Sequence, residues 1–224
     1  QVEKGMRILF LTFNKNLARN HSYQIERNYS LPQVGSFHVS TFHSWAKSII
    51  ENVDKGWWVM NSRSEEFWDL EVPLKLQNHP LTSEALYDAI IIDEAQDFED
   101  LWLEPVISAL KESGKMIVML DPNQDIFNRG NQFAKLGFMK ISMKAVIRQT
   151  KTLTKQISST LGLDLSYHEK CPEGESISKV NSMDDFKRIF ESDGWPLESL
   201  VVLYDPACGL GNFKDLRFGR TRIE

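Results

Sequence analysis

Residues 87–98 of the chain read Tyr-Asp-Ala-Ile-Ile-Ile-Asp-Glu-Ala-Gln-Asp-Phe. The aliphatic run directly before Asp93 is typical of a strand that is buried on both faces of a parallel sheet. Asp93 and Glu94 follow at the carboxyl end of this strand, which is where ligands bind in open α/β sheets. The alternative is a solvated acid pair that caps the next helix. Helix N-terminal acids are indeed expected just after it, before residues 101–110: Asp97, Glu99 and Asp100. That role does not account for Asp93.

An aspartate directly after an aliphatic strand suits a hard oxygen ligand for a nucleotide-bound magnesium ion, and a neighbouring carboxylate suits activation of a water for attack on phosphorus. The residues thus predict Asp93 as the metal ligand and Glu94 as the catalytic carboxylate. The order Asp-Glu-Ala-Gln-Asp resembles motif II of the UvrD/Rep-type superfamily 1 DNA helicases. This resemblance implies a P-loop NTPase (RecA-like) fold, ATP and Mg²⁺ as cofactors, and hydrolysis coupled to translocation on single-stranded DNA.

The composition is that of an ordinary globular chain of 224 residues. Its 26 Lys and Arg residues against 31 Asp and Glu residues give a net charge of −5, so nucleic-acid binding requires a local basic patch. The two cysteines form no CxxC pair, and no apolar run has the length of a membrane span. We therefore expect a cytoplasmic protein that does not bind membranes.

The segment around Arg7–Thr12 predicts a second buried strand followed by a helix. The four residues after its aliphatic part resemble motif Ia, which in the family contacts single-stranded DNA: Thr12, Phe13, Asn14 and Lys15. A hydroxyl, an amide and a cation at a helix start all suit phosphate contacts. Thr12 or Asn14 also fits a plain helix cap, a role that is compatible with DNA binding.

Residues 37–40 predict a third strand, and the pentad that starts at Thr41 resembles another DNA-facing motif of the family. Taken alone, His43 fits a packed or capping histidine as well as a nucleic-acid contact. Residues 51–86, rich in tryptophan, predict a helical insertion that is a much reduced version of helicase subdomain 1B. Its aromatic residues suit a small core, and base stacking is the alternative.

Residues 115–120 predict a fourth strand, followed by a segment from Asp121 that resembles motif III. The resemblance assigns Gln124 as the sensor of the terminal phosphate and Phe127 as an aromatic contact to a base. The alternative is an ordinary turn formed by Asp-Pro-Asn. Asn128 stands where the family commonly has tryptophan, which removes one stacking surface.

A fifth strand is predicted at residues 138–142 and a helix up to about residue 161. Between them, Arg148 and Gln149 resemble motif IV, with Gln149 in place of the usual asparagine. The resemblance assigns Arg148 to the terminal phosphate, and an ordinary helix-start arginine is the alternative. Residues 162–174 predict a linker. Beyond it, strands at 176–180 and 200–204 and a helix at Met183–Ser192 predict the start of a second α/β domain.

The predicted organisation is a RecA-like first domain (1A) over residues 1–145, with the insertion at 51–86, and a partial second RecA-like domain over residues 146–224. No GxxxxGK[ST] phosphate-binding loop and no motif V or VI occurs in the sequence, and residues 1–5 resemble the tail of the helix that follows such a loop. Two interpretations follow: a fragment or degenerate copy of an ATP-dependent helicase, or a catalytically inactive module that binds nucleic acid or protein. The residues do not distinguish DNA from RNA.

The fold prediction is a parallel sheet flanked by helices, with strands near Ile8, Val39, Ile91, Val118 and Phe138. Because parallel strands end at the same edge, four residues should meet there: Thr12, Thr41, Asp93 and Asp121. The place of the missing phosphate-loop strand would be taken by another segment, a second protein or a second copy of the chain. Residues 1–224 alone are expected to bind ATP weakly and not to hydrolyse it.

Overall fold

The structure, a computed structural model, describes residues 5–28, 35–61, 66–79, 81–125, 127, 129, 133, 136–143, 145–175, 182–192, 217–218 and 221–222. The chain divides into two compact units, Gln1–Lys140 and Ile141–Glu224. No helix in the described part of the chain is long and apolar enough to cross a membrane.

The first unit is built on a four-stranded sheet in which all neighbouring strands are parallel. Its strands are β1 (Arg7–Thr12), β2 (Ser36–Thr41), β3 (Tyr87–Asp93) and β4 (Leu110–Val118). The order across the sheet is β2-β1-β3-β4, with β1 and β3 in the centre. The α/β class and the strands predicted near Ile8, Val39, Ile91 and Val118 are confirmed.

Helices lie between consecutive strands of this unit and form the crossover connections that parallel strands require. They are α1 (Lys15–Asn28), α2 (Phe42–Val53), α3 (Trp57–Asn61), α4 (Val72–Gln77) and α5 (Asp100–Ser108). A π-helical turn covers Phe67–Glu71, and short 3-10 turns cover Ser83–Ala85, Ala95–Asp97 and Pro122–Gln124. The helical character predicted for residues 51–86 is confirmed. Asp100 lies in the first turn of α5, as predicted.

The core forms where the apolar face of α2 meets α5 and the sheet. Residues of α2 at helical spacing are buried, including Phe42 and Trp45. The Phe42 ring stacks on Trp102 of α5 with ring centroids 4.7 Å apart, and the Trp45 indole N–H donates to the Tyr87 hydroxyl at 3.3 Å. These contacts fix the start of α2 against the sheet, and with it the end of β2.

The aromatic residues of the insertion form its core. Trp58 and Phe67 are buried and meet edge to face with ring centroids 4.9 Å apart. Trp57 stacks on Phe67 at 5.4 Å. Trp68 is partly exposed and packs edge to face on His43 at 5.1 Å. The core interpretation is therefore confirmed for Trp58 and Phe67.

The strand predicted at residues 138–142 is wrong. Residues 136–143 form no regular structure and pair with no strand among the described residues, and their side chains lie on the surface. Met139 is 86% exposed and Ile141 is 78% exposed. A strand requires a backbone partner and a face to bury, and within the described part of the chain this segment has neither.

The second unit contains β5 (Ala145–Val146), α6 (Lys151–Leu161), β6 (Ser166–Tyr167), α7 (Met183–Ser192), β7 (Arg217–Phe218) and β8 (Thr221–Arg222). Both predicted helices are confirmed. Residues 162–174 are mostly turns and irregular structure, as predicted for a linker, but they include β6, which pairs in parallel with β5, and the Lys151 amide donates to the Pro172 carbonyl at 2.9 Å. Buried Cys171 also packs here. The strands predicted at 176–180 and 200–204, and Asn128, lie outside the described residues.

Candidate functional site at the carboxyl edge of the sheet

The strand ends bring the predicted residues to one edge of the sheet. In the register of the sheet, Thr12 lies beside Thr41 on one side and beside Asp93 on the other. The β4 end is joined to the β3 end by two backbone hydrogen bonds, from the Met119 amide to the Ile92 carbonyl (2.8 Å) and from the Ala95 amide to the Met119 carbonyl (3.0 Å). Asp121 follows immediately, so the prediction that four residues share this edge is confirmed.

Glu94 has an unusual backbone. Its φ of 54° and ψ of 46° lie in the left-handed region, and it alone among the described non-glycine residues has a positive φ. This conformation costs an L-residue about 1–2 kcal/mol and is often found at functional sites. The turn directs the chain from β3 into the 3-10 turn at Ala95–Asp97. The side chain of Gln96 thereby lies within hydrogen-bond distance of the Glu94 carboxylate.

A chain of hydrogen bonds joins Glu94 to Gln124. The Gln96 side-chain amide donates to the Glu94 carboxylate at 2.6 Å, and its carbonyl oxygen accepts from the Asp121 backbone amide at 3.1 Å. The Gln124 side-chain amide then donates to the Asp121 carboxylate at 2.7 Å. Gln96 is 3% exposed, which makes it the buried link of this chain. Two residues assigned separately from the sequence, Glu94 and Gln124, are thus connected through a residue to which the sequence analysis gave no role.

Asp93 contacts a histidine that sequence reasoning missed. Nε2 of His21, on α1, lies 3.2 Å from an oxygen of the Asp93 carboxylate, and both side chains are partly exposed. The His21 ring also packs on Phe10 with ring centroids 4.8 Å apart. The two residues are 72 positions apart, and no local pattern in the sequence connects them. Their proximity follows only from the pairing of β1 with β3 and the return of α1 along the sheet.

Arg129 organises the aromatic residues near the same edge. Its guanidinium lies 4.6 Å from the ring centroid of Phe127, 5.3 Å from that of Phe13 and 5.7 Å from that of Trp102. It forms an ion pair with Glu99 at 2.7 Å and donates to the Asp97 carbonyl. Such contacts fix the cation and the rings together. Arg129 had no role predicted from the sequence, because its partners Glu99 and Asp97 are 30 or more positions away along the chain.

The predicted nucleic-acid residues differ in exposure. Thr12 is 0% exposed, and its hydroxyl has no hydrogen-bond partner among the described residues. Phe127 is 47% exposed and packs against Phe13 at 5.6 Å. Lys15 lies exposed in the first turn of α1. The side chains of Lys15 and Phe127 are therefore more accessible to a ligand than the Thr12 hydroxyl, and the DNA contacts predicted for all three stay predictions.

Asn14 and Thr41 are helix caps. The Asn14 side-chain oxygen accepts from the Asn16 amide at 2.7 Å, and the Thr41 hydroxyl accepts from the Ser44 amide at 3.3 Å. These bonds satisfy amides at the starts of α1 and α2 that have no partner within the helix. Capping is therefore confirmed for Asn14, whereas its predicted contact with DNA stays a prediction.

His43 is packed within the aromatic cluster. Its Nε2 lies 2.8 Å from the Trp68 carbonyl oxygen, and its ring meets Trp102 edge to face at 4.7 Å. Burial lowers the pKa of His43, and the charges of Lys15 and Arg129 lower it further, against opposing effects of the Trp68 carbonyl and a nearby acid. The ring is therefore held in its neutral form more strongly than a free histidine. A packing role is shown, and a nucleic-acid role stays a prediction.

Asp97 is an acid in an unfavourable position. Burial raises its pKa, the negative charge of Glu94 raises it further, and Arg129 opposes both effects. One of its carboxylate oxygens is buried and has no hydrogen-bond partner within the described residues. Burial and the charge of Glu94 thus both disfavour the charged form of the Asp97 carboxyl.

No group of three or more His, Cys, Asp or Glu side chains forms a cage for a metal among the described residues. Magnesium in nucleotide sites needs fewer, because it takes one or two carboxylates together with phosphate oxygens and water. Asp93 and Glu94, side by side at the strand end, fit that donor set. Asp93 would hold the ion, which supplies neutralisation of phosphate charge when bound.

Arg148 belongs to the second unit. It lies exposed on a bend directly before α6, whose first turn is capped by the Thr150 hydroxyl accepting from the Leu153 amide at 3.2 Å. A basic residue before a capped helix start fits both the phosphate role and an ordinary surface role. Its assignment to the terminal phosphate stays a prediction.

No protein-family model matches the chain, and no curated protein sequence matches it.

Proposed function

We propose that this chain provides the hydrolysis and DNA-contacting edge of an ATP-dependent superfamily 1 DNA helicase of the UvrD/Rep type. The observation that supports it best is the hydrogen-bond chain from Glu94 through Gln96 and Asp121 to Gln124. A helicase must link the step that activates water to the group that senses the terminal phosphate, and this chain offers such a link.

In this proposal each residue of the edge has one task. Asp93 holds the magnesium ion of the nucleotide, Glu94 activates the attacking water, and Gln124 binds the terminal phosphate. Lys15 and Phe127 contact the single strand, by charge and by stacking. Arg129 positions Phe127, since its guanidinium lies on that ring and is anchored by Glu99. Arg148 is assigned to the terminal phosphate on its resemblance to motif IV alone.

ATP hydrolysis with and without single-stranded DNA tests the catalytic part. In a parent protein that includes a phosphate-binding loop, Glu94→Gln should lower hydrolysis by about 10²-fold or more, because the water loses its base. Glu112→Gln, an exposed acid on β4, is the matched control and should leave hydrolysis unchanged. Hydrolysis by Glu94→Gln at the wild-type rate would refute the proposal. Residues 1–224 alone should show no turnover; turnover that Glu94→Gln abolishes would show that other residues hold the phosphates.

Fluorescence titration with an oligonucleotide tests the DNA part. Lys15→Ala combined with Phe127→Ala should weaken binding about tenfold or more, since one stacked base contributes about 1–3 kcal/mol. The slope of log affinity against log salt should also fall by about 0.7 for the one cation removed. Lys47→Ala, an exposed cation on α2, is the control. Unchanged affinity in the double variant would exclude this surface.

A second candidate is a module that binds nucleic acid or protein without turnover. The contact between Asp93 and His21 favours it, because Nε2 of His21 lies 3.2 Å from the carboxylate oxygen that a metal ion would need. In a parent protein with a phosphate-binding loop, this candidate predicts hydrolysis that is equally absent in the wild type and in Glu94→Gln, together with retained oligonucleotide binding.

A further inference from the structure

His21 and Asp93 are two metal-binding side chains in contact, of which the proposed function uses only the aspartate. Nε2 of His21, on α1, lies 3.2 Å from Oδ2 of Asp93 at the end of β3. The two side chains are 30% and 21% exposed, so an ion and its water ligands can reach both. The His21 ring packs on Phe10 with ring centroids 4.8 Å apart, which limits the positions that the ring can take. We call these two residues the His–Asp pair.

The distance within the His–Asp pair allows both side chains to bind the same ion. A nitrogen and an oxygen that each lie about 2.1 Å from one metal ion are about 3.0 Å apart at a right angle and about 3.4 Å apart at the tetrahedral angle. The observed distance of 3.2 Å falls between these two values. It is longer than a charge-assisted hydrogen bond from nitrogen to a carboxylate, which measures about 2.7–2.9 Å. The two side chains therefore need little movement to hold an ion between them.

A buried hydroxyl without a partner lies beside the His–Asp pair. Thr12 is the register partner of Asp93, and paired residues of neighbouring strands direct their side chains to the same face of the sheet. Phe10, two positions before Thr12, lies on that face as well and contacts His21. The Thr12 hydroxyl is buried and forms no hydrogen bond with the described residues, which is unfavourable for a polar group. A water molecule bound to a metal ion at the pair would give this hydroxyl a partner.

The ligand types of the His–Asp pair favour a transition-metal ion over magnesium. An imidazole nitrogen suits zinc, nickel, copper and iron, whereas carboxylate, carbonyl and water oxygens suit magnesium. Within the described part of the chain, no group of three or more His, Cys, Asp or Glu side chains is arranged to hold a metal, so water completes the coordination of an ion at the pair.

We propose that the His–Asp pair binds a divalent first-row transition-metal ion, such as Mn²⁺, Ni²⁺ or Zn²⁺, and that His21 is the residue that selects it over Mg²⁺. The proposal rests on the proposed function only in its use of Asp93, to which that function gives the magnesium ion of a nucleotide. It goes further because His21 is a second protein ligand and because the ion binds without nucleotide. The affinity should rise from Mn²⁺ to Ni²⁺, following the general order for such ions.

Isothermal titration calorimetry of residues 1–224 with nickel chloride and with magnesium chloride tests the selection. The wild type should bind Ni²⁺ at least about tenfold more tightly than Mg²⁺. His21→Gln should weaken Ni²⁺ binding about tenfold and change Mg²⁺ binding by no more than about twofold. Asp93→Asn should weaken the binding of both ions. His168→Gln removes an exposed histidine of the second unit and is the matched control, with a Ni²⁺ affinity within about twofold of the wild type.

Pulsed electron paramagnetic resonance of bound Mn²⁺ identifies the ligand directly, because an imidazole nitrogen on the ion modulates the electron spin echo. We expect nitrogen modulation in the wild type and in His168→Gln, and none in His21→Gln. No nitrogen modulation in the wild type would overturn the proposal, as would modulation that persists in His21→Gln. The wild-type spectrum needs no variant, and circular dichroism will verify that the variants fold.

A His21 side chain that only blocks the Asp93 carboxylate predicts a result of the opposite sign. His21→Gln would then bind both Ni²⁺ and Mg²⁺ more tightly than the wild type, and this result would overturn the proposal.

The outcome is separable from that of the proposed function, because the metal titrations contain no nucleotide. Glu94→Gln in the parent protein tests hydrolysis and leaves both members of the His–Asp pair in place. Weaker Ni²⁺ binding in His21→Gln together with wild-type hydrolysis in Glu94→Gln would support the metal site and refute the proposed function. Unchanged Ni²⁺ binding in His21→Gln together with lost hydrolysis in Glu94→Gln would refute the metal site and retain the proposed function.

Discussion

Replacing Gln96 by methionine should destabilise the first unit and separate Glu94 from Gln124. Methionine keeps about the same volume, so the change removes hydrogen bonds without a large cavity. The bond to the Glu94 carboxylate, at 2.6 Å, involves a charge and contributes about 1.5–3 kcal/mol. The bond from the Asp121 amide, at 3.1 Å, contributes about 0.5–1.5 kcal/mol. Gln96→Met should therefore lower the free energy of unfolding by about 2–4 kcal/mol.

Urea unfolding of residues 1–224, followed by tryptophan fluorescence, measures this loss. Gln124→Ala is the matched control, because it removes the same kind of amide from the same chain of hydrogen bonds at an exposed position. An exposed substitution of this kind should change the free energy of unfolding by no more than about 0.5 kcal/mol. The reasoning would be refuted if Gln96→Met unfolded at the wild-type urea concentration, or if the two variants lost equal stability.

Three further predictions concern the same edge. The pKa of His43 is lowered in the folded state, so its contribution to stability is present above the ordinary histidine pKa of about 6.5 and is lost as pH falls through the lowered value. The difference in unfolding free energy between wild type and His43→Gln, measured by urea titration, should therefore shrink from pH 7.5 to about pH 5. A constant difference would contradict this prediction. Arg129→Gln should lower the free energy of unfolding by about 1–3 kcal/mol in the same assay, because the Glu99 ion pair and the aromatic contacts are lost. Lys140→Gln, which removes an exposed cation, should change it by about zero, and equal losses in the two variants would exclude an organising role for Arg129. Glu94→Gly should have a free energy of unfolding about 1 kcal/mol higher than that of Glu94→Ala, because both variants lose the Gln96 bond but only glycine relieves the left-handed backbone. A more stable alanine variant would show that the backbone at this position is not strained.

The sequence predicted those parts of the fold that short-range patterns determine. Continuous aliphatic runs at β1 and β3 leave no polar face, and only a central strand of a parallel sheet accommodates them. Because such strands end at one edge, the positions of Thr12, Asp93 and Asp121 followed directly. The strand predicted at 138–142 was wrong, since the residues of a short segment show that it can form a strand but not whether a partner strand is available to it.

The candidate site was predictable only in part. Asp93, Glu94 and Gln124 lie directly after strands, so the end of each strand marked them. His21 and Arg129 could not be found in this way, because their partners are 72 and 32 positions distant. The left-handed conformation of Glu94 also left no trace, as glycine or asparagine would be the usual signal for it.

The geometry of the edge explains why a buried glutamine is the residue that links its two halves. The ends of β3 and β4 are neighbours in the sheet, but their carboxylates cannot bond to each other, since both accept and neither donates at neutral pH. An amide side chain both donates and accepts, and Gln96 uses each function once, toward Glu94 and toward the Asp121 backbone. Under the proposed function, a shift of Gln124 on loss of the terminal phosphate therefore reaches Glu94 through hydrogen bonds whose direction is fixed at every step.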